Sequence, residues 1–275
     1  MVIVDHDRGP WFHLSDVDTT KVQERLDELL PIWTSFIDGG TVKRTGQALE
    51  IAIYRAILAA EPQTHLFGGF SDLDAHDDST LYSKQELQNF NGASLGKEAL
   101  DFVIGVGGDF CGIEVKNVRP WYYAHDEDIR NALRKCLRFR VIPVFIARRI
   151  QYVTFRVLGT CGVILHETYN QRLAAADTLV ADMARDKRLL GYHDIRVSNE
   201  PDNRLTRFFN INLPAIIPAA KQKLEQYHDL LSAYAFDNMR YREFSGRVRR
   251  RELGQKEDND WPEDEEQEGF DDERG

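Results

Sequence analysis

A chain of 275 residues has room for one large domain or two small ones, and its 42% apolar content excludes wholesale disorder. Its longest run without a formal charge, residues 208–220, contains two prolines and is too short to span a bilayer. The net charge of −10 is a property of the C-terminal end: residues 256–275 hold 11 acids and 2 bases, against 34 acids and 33 bases in the remainder.

The opening MVIVDHDRGPWF has neither a basic start nor an apolar run, so no signal peptide is expected there. Cys111, Cys136 and Cys161 show no paired spacing. That argues against a disulfide framework and a zinc knuckle, and a cytoplasmic location is expected.

In chain order, residues 18–37 predict an amphipathic helix, with Val22, Leu26, Leu29, Trp33 and Phe36 at helical spacing and Asp18 or Thr19 as N-cap. Pro31 should kink or split it, and Asp38-Gly39-Gly40 should end it. A second helix is expected over 42–60, stopped by Glu61-Pro62. Residues 66–70 suggest a strand and 71–80 an exposed loop. Two Val-, Ile- and Phe-rich runs, 100–106 and 110–118, flank Gly107-Gly108 and read as a hairpin. A helix over 126–140 and a strand over 142–147 follow. Further strands are predicted at 152–158 and 163–166, then helices near 174–190 and 214–235. This order predicts an α/β fold, a mixed sheet core with helical additions at both ends.

The hairpin carries the candidate chemistry. Glu114 and Lys116, two apart, share one strand face, and Ile113 and Val115 turn to the core. Such an acid-x-Lys pair occurs once in the chain; taken alone it reads better as a salt bridge along the strand. If Gly107-Gly108 is a two-residue turn, Asp101 lies directly across from Glu114. Opposed like charges destabilise a sheet, and a divalent cation between them would remove the conflict. Glu50 stands in Ala48-Leu49-Glu50-Ile51-Ala52-Ile53, the most apolar part of the second helix, where a charge is costly unless paired. Gly46, one turn earlier, leaves room for it; the plain alternative is an acid at the edge of the buried face.

This pattern resembles the PD-(D/E)XK nucleases, the superfamily of type II restriction enzymes and Holliday-junction resolvases. The resemblance rests on a helix glutamate (Glu50), an aspartate at a strand start (Asp101), the Glu114-x-Lys116 pair on the next strand, and then a helix and a strand. It covers about residues 42–150, and Leu100 stands where the motif has proline. It implies a restriction-endonuclease-like core over 41–170, an N-terminal helical segment over 1–40 and a mostly helical extension over 171–237. The basic-then-acidic stretch 238–275 is expected to be disordered. It further implies Mg²⁺ or Mn²⁺ on Asp101 and Glu114 with Glu50 beside them, and Lys116 orienting or deprotonating a water or touching a phosphate oxygen.

Between Arg130 and Arg149 lie seven basic residues and no acid. Arg130, Arg134 and Arg138 fall on one helical stripe and, with Lys135, are candidate phosphate contacts; an ordinary solvated face is the alternative. Trp121, Tyr122 and Tyr123 offer base stacking or core packing. The Asp72, Asp74, Asp77 and Asp78 cluster lacks calcium-loop spacing, and His125, His166 and His193 show no metal-site pairing. The expected function is a metal-dependent nuclease acting on DNA ahead of RNA. A non-catalytic nucleic-acid-binding or assembly protein on the same fold and an RNase are the alternatives. Nucleic acid is the expected partner, a membrane is not, and a homodimer is left open.

Overall fold

The computed structural model describes residues 2–4, 11–61, 63–71, 73 and 79–257. The acidic end from 258 onward and most of the Asp72–Asp78 cluster lie outside them.

Helix α1 (Thr19–Phe36) starts at Asp18, whose carboxylate accepts from the Thr20 amide at 2.8 Å. It runs through Pro31 without splitting. Asp38 does not only close α1. Its side chain also caps α2 (Gly39–Leu58), accepting from the Gly40 amide at 2.9 Å, so α2 begins earlier than its apolar periodicity suggests.

The core is a five-stranded mixed sheet of β1 (Gln63–Phe67), β2 (Phe102–Val106), β3 (Asp109–Lys116), β4 (Ile142–Ala147) and β5 (Ile164–Glu167), in the order β5-β4-β3-β2-β1. The β1/β2 and β2/β3 pairs are antiparallel, and β3/β4 and β4/β5 are parallel. Gly107 and Gly108 turn the hairpin with φ of 61° and 91°, the left-handed values that a two-residue turn between twisted strands requires. The register pairs Val106 with Asp109 and Phe102 with Ile113, so the next positions out are Asp101 and Glu114, as the turn predicts.

Between β3 and β4 runs α3 (Glu127–Phe139), which ends on Arg140 in the left-handed conformation, φ 57°. Residues 152–158, expected as a strand, form α4 (Tyr152–Thr160) instead. The reason is topological. β5 lies parallel to β4, and two parallel neighbours need a crossover, which a tight hairpin cannot provide. The β-branched residues of 152–158 yield to that demand, burying Thr154 and Leu158 one helical turn apart.

Helix α2 covers one sheet face, packing Leu49, Ile53 and Ile57 with Phe102 and Ile113. Helix α3 covers the other, with Ile129 and Leu133 against Phe145. Long α5 (Leu213–Ala235) contributes Leu213 and Ile217 to the first layer and Leu230 and Tyr234 to the second. It crosses near Gly162, where an added side chain would strike the Ala220 carbonyl. That packs α5 against the end of the sheet where β5 starts, opposite the C-terminal ends of β3, β4 and β5. The segment 171–237 also holds a strand pair, Gln171–Leu173 with Ile195–Val197. The basic stretch read as disordered is helix α6 (Tyr241–Glu252), anchored by buried Phe244 and Val248.

Candidate active site

The ladder between β2 and β3 stops at Phe102–Ile113, while β3 continues alongside β4 to the Lys116–Ala147 pair. Asp101 fills the fork. Its Oδ2 accepts from the Val115 amide at 2.7 Å, replacing a ladder bond that the diverging strand no longer provides. Its Oδ1 accepts from Lys84 Nζ, and the same ammonium stands 2.7 Å from Glu50 Oε2, an ion-pair distance without hydrogen-bond alignment.

Glu114 projects toward the α3 layer. Lys135 Nζ lies 2.5 Å from its Oε2 and also donates to the Ala99 carbonyl at 2.9 Å. Lys116 Nζ lies 3.4 Å from Glu114 Oε1 and 3.3 Å from Asp128 Oδ1, so the shared strand face is real. Gly112 allows α3 to come this close: a Cβ there would stand 2.8 Å from Cys136 Sγ. The Tyr122 hydroxyl donates to Asp128 Oδ2 at 2.9 Å, fixing the far side of the lysine's partner.

The electrostatics follow from burial. Glu114 is pushed up to about 7, first by loss of water and then by the Asp101 charge. Burial and Asp101 raise Glu50 as well. For Lys84 burial acts downward, but Asp101 and Glu50 outweigh it and the ammonium is held above its ordinary value. Lys116 is likewise raised: Glu114, Asp128 and Asp101 outweigh its burial. Both lysines are therefore firmly charged at neutral pH.

Glu50, Asp101, Glu114 and Lys116 thus gather at the fork, with Glu50 reaching the cluster from α2 through Lys84. The lysines Lys84 and Lys135 complete it. A cavity of about 380 Å³ adjoins the site, lined by Gly46, Glu50, Lys116, Arg119 and Gln171 among others. The chain matches no family model, no curated protein and no solved structure.

In donor chemistry the cluster suits a hard divalent cation. Three carboxylates stand near one another, two of them raised by burial and by the Asp101 charge, and one buried Glu50 oxygen has no aligned donor. In arrangement the protein's own lysines meet that demand. Among the described residues no group of three or more His, Cys, Asp or Glu side chains is set to hold a metal.

The arginine stripe is not the open phosphate surface its spacing suggests. Arg130 pairs with Glu127 and Asp237, and Arg134 with the same two acids while donating to the Ala235 carbonyl at 3.0 Å. These side chains dock α3 on the C-terminal end of α5, where the orphan carbonyls and helix dipole favour cations. Arg138 lies over Phe236 and 3.9 Å from Glu98. Lys135 is not on the stripe at all: it lies on the buried side with Ala132 and Phe139. Tyr122 is core, and Trp121 is exposed. His166 is half-buried, stacked on Phe208 with ring centroids 4.2 Å apart, and takes no part in the site.

Proposed function

We propose that the chain is a nuclease that hydrolyses phosphodiester bonds, in DNA ahead of RNA, with Mg²⁺ or Mn²⁺ as its cofactor. The observation that carries this reading is the fork itself: Asp101 and Glu114 are the next positions past the end of the hairpin ladder, the Asp101 charge acts on Glu114, and Lys116 follows on the Glu114 face. Asp101 and Glu114 would hold the metal, with Glu50 beside them. A bound metal neutralises phosphate charge and lowers the pKa of a coordinated water. Lys116, kept protonated by Glu114 and Asp128, then acts as a hydrogen-bond donor to a phosphate oxygen or to the attacking water rather than as the base. The order helix, three antiparallel strands, helix, parallel strand around this site supports the same reading. No described helix is long and apolar enough to cross a membrane, and three buried free thiols accord with a cytoplasmic setting.

A second reading has its own observation. Lys84 and Lys135 already balance the carboxylates, as they would in a nucleic-acid-binding protein that keeps the fold without cleavage. Plasmid, linear duplex, single-stranded DNA and RNA incubated with Mg²⁺, Mn²⁺ or EDTA separate the two. Cleavage with metal and none with EDTA is expected; binding without cleavage under every condition would establish the second reading.

A further inference from the structure

The C-terminal end of the parallel strands carries an arginine cluster quite different from the α3 stripe. Because β3, β4 and β5 run parallel, Lys116, Ala147 and Glu167 sit side by side at their C-terminal ends. Arg149 follows Ala147 by two residues and Tyr169 follows Glu167 by two, so both lie just past the ends of their strands. Backbone bonds fix them there: Tyr122 N to Arg149 O at 3.1 Å and Tyr169 N to Arg148 O at 3.1 Å.

Tyr169 adopts φ 63°, a left-handed conformation unusual for a tyrosine, and its side chain is exposed. Two guanidinium groups lie over its ring, Arg149 at 4.7 Å and Arg204 at 4.2 Å from the centroid. Arg149 also lies 5.6 Å from the exposed ring of Trp121. Stacking uses the face of a guanidinium and leaves its N–H edge free. Neither arginine has a carboxylate partner among the described residues. The nearby acids are engaged elsewhere: Glu167 Oε1 accepts from the Ile150 amide at 2.8 Å, and Asp202 takes the Arg204 and Leu205 amides and Arg172. Two arginines without carboxylate partners, Arg204 exposed and Arg149 half-buried, therefore share an aromatic post near the C-terminal end of β3.

We propose that Arg149 and Arg204, ordered by Tyr169, clamp backbone phosphates of a nucleic-acid strand crossing the C-terminal ends of β3–β5, with Trp121 stacking on an adjacent base. The clamp rests on the nucleic-acid reading of the site but not on cleavage. It is therefore tested without metal, by fluorescence anisotropy of a labelled single-stranded DNA in EDTA across a salt series.

The Arg149→Gln/Arg204→Gln double variant should weaken binding at least tenfold at low salt. It should also flatten the slope of log affinity against log salt by roughly 1.4, two contacts at about 0.7 each. The variant should keep its thermal midpoint, since neither side chain makes an ion pair. Tyr169→Asn, which tolerates the left-handed backbone, should weaken binding by a smaller factor through lost ordering. Arg140→Asn, at the opposite end of β4, should change nothing. Unchanged affinity and slope in the double variant, with wild-type binding intact, overturn the clamp and leave the nuclease reading standing. Loss of the slope in a protein that cleaves nothing supports the clamp and counts against the nuclease. Inorganic phosphate should displace the strand from the wild type more than chloride does at equal ionic strength, and equally strong displacement from the double variant would overturn the clamp.

Discussion

Lys84 Nζ stands 2.7 Å from Glu50 Oε2 and, by also reaching Asp101, joins the helix layer to the strand fork. Each of the two carboxylates has this ammonium as its close cation. The balance of the Glu50 and Asp101 charges therefore leans on one side chain from the short strand Lys84–Gln85.

Replacing Lys84 with Met should leave two mostly buried like charges facing each other. Breaking such a pair costs about 3 kcal/mol, read by urea denaturation near neutral pH. Mn²⁺ should recover part of that loss, raising the thermal midpoint of Lys84→Met more than that of the wild type. Equal stability and an equal Mn²⁺ response would show that Lys84 does not occupy the cation position.

His166 should contribute to the acid limb of stability. Burial pushes its imidazole down from 6.5 to about 4, so between those values the unfolded chain binds the extra proton. Its contribution is complete above about 6.5 and is lost as pH falls through 4, a change of roughly 3 kcal/mol. His166→Phe should flatten this limb in urea titrations at successive pH values. A limb of unchanged steepness would show that His166 is not responsible.

Glu114 works with the opposite sign. Its folded pKa, raised from 4.5 to about 7 by burial and Asp101, means the native state keeps a proton the unfolded chain has released. That contribution is complete below about 4.5 and is lost as pH rises through 7. In EDTA, Glu114→Gln should therefore show a steeper gain of stability with pH across this window than the wild type, because the His166 limb is no longer offset. A shallower gain would reverse the assignment.

The arginines on α3 should behave as structural groups. Arg134→Gln loses ion pairs to Glu127 and Asp237, both half-exposed, and a bond to the α5 C-terminus. About 1 kcal/mol of stability should go, with no change in nucleic-acid affinity. A clear drop in affinity at unchanged stability would return the stripe to phosphate binding.

The hairpin was legible because its determinants are local. Two glycines at positive φ fix the turn, and the turn fixes the Asp101–Glu114 opposition. The span of α3 was legible for the same reason, between Asp126 and the left-handed Arg140. Lys84 was not, since it comes from 61–98, a segment of very short strands with no periodicity to read. Lys135 was readable but misplaced: Ala132, Lys135 and Phe139 share the buried side of α3, so charge alone put the lysine on the wrong face. In α6 the Phe244–Val248 spacing signalled a packed helix, and the surrounding arginines masked it. The α4 segment failed for a non-local reason, because only the parallel pairing of β4 and β5 demands a helix there.

The most direct test of the proposed chemistry is metal-dependent cleavage by Lys116→Met, with Mn²⁺ binding followed by calorimetry on the same preparation. Lys116 is expected to act on the phosphate or water while Asp101 and Glu114 hold the metal, so cleavage should fall at least about 100-fold with Mn²⁺ affinity retained. Asp101→Asn should lose both. Full cleavage by Lys116→Met, or a wild-type protein that neither binds Mn²⁺ nor cleaves DNA or RNA, would contradict the assignment.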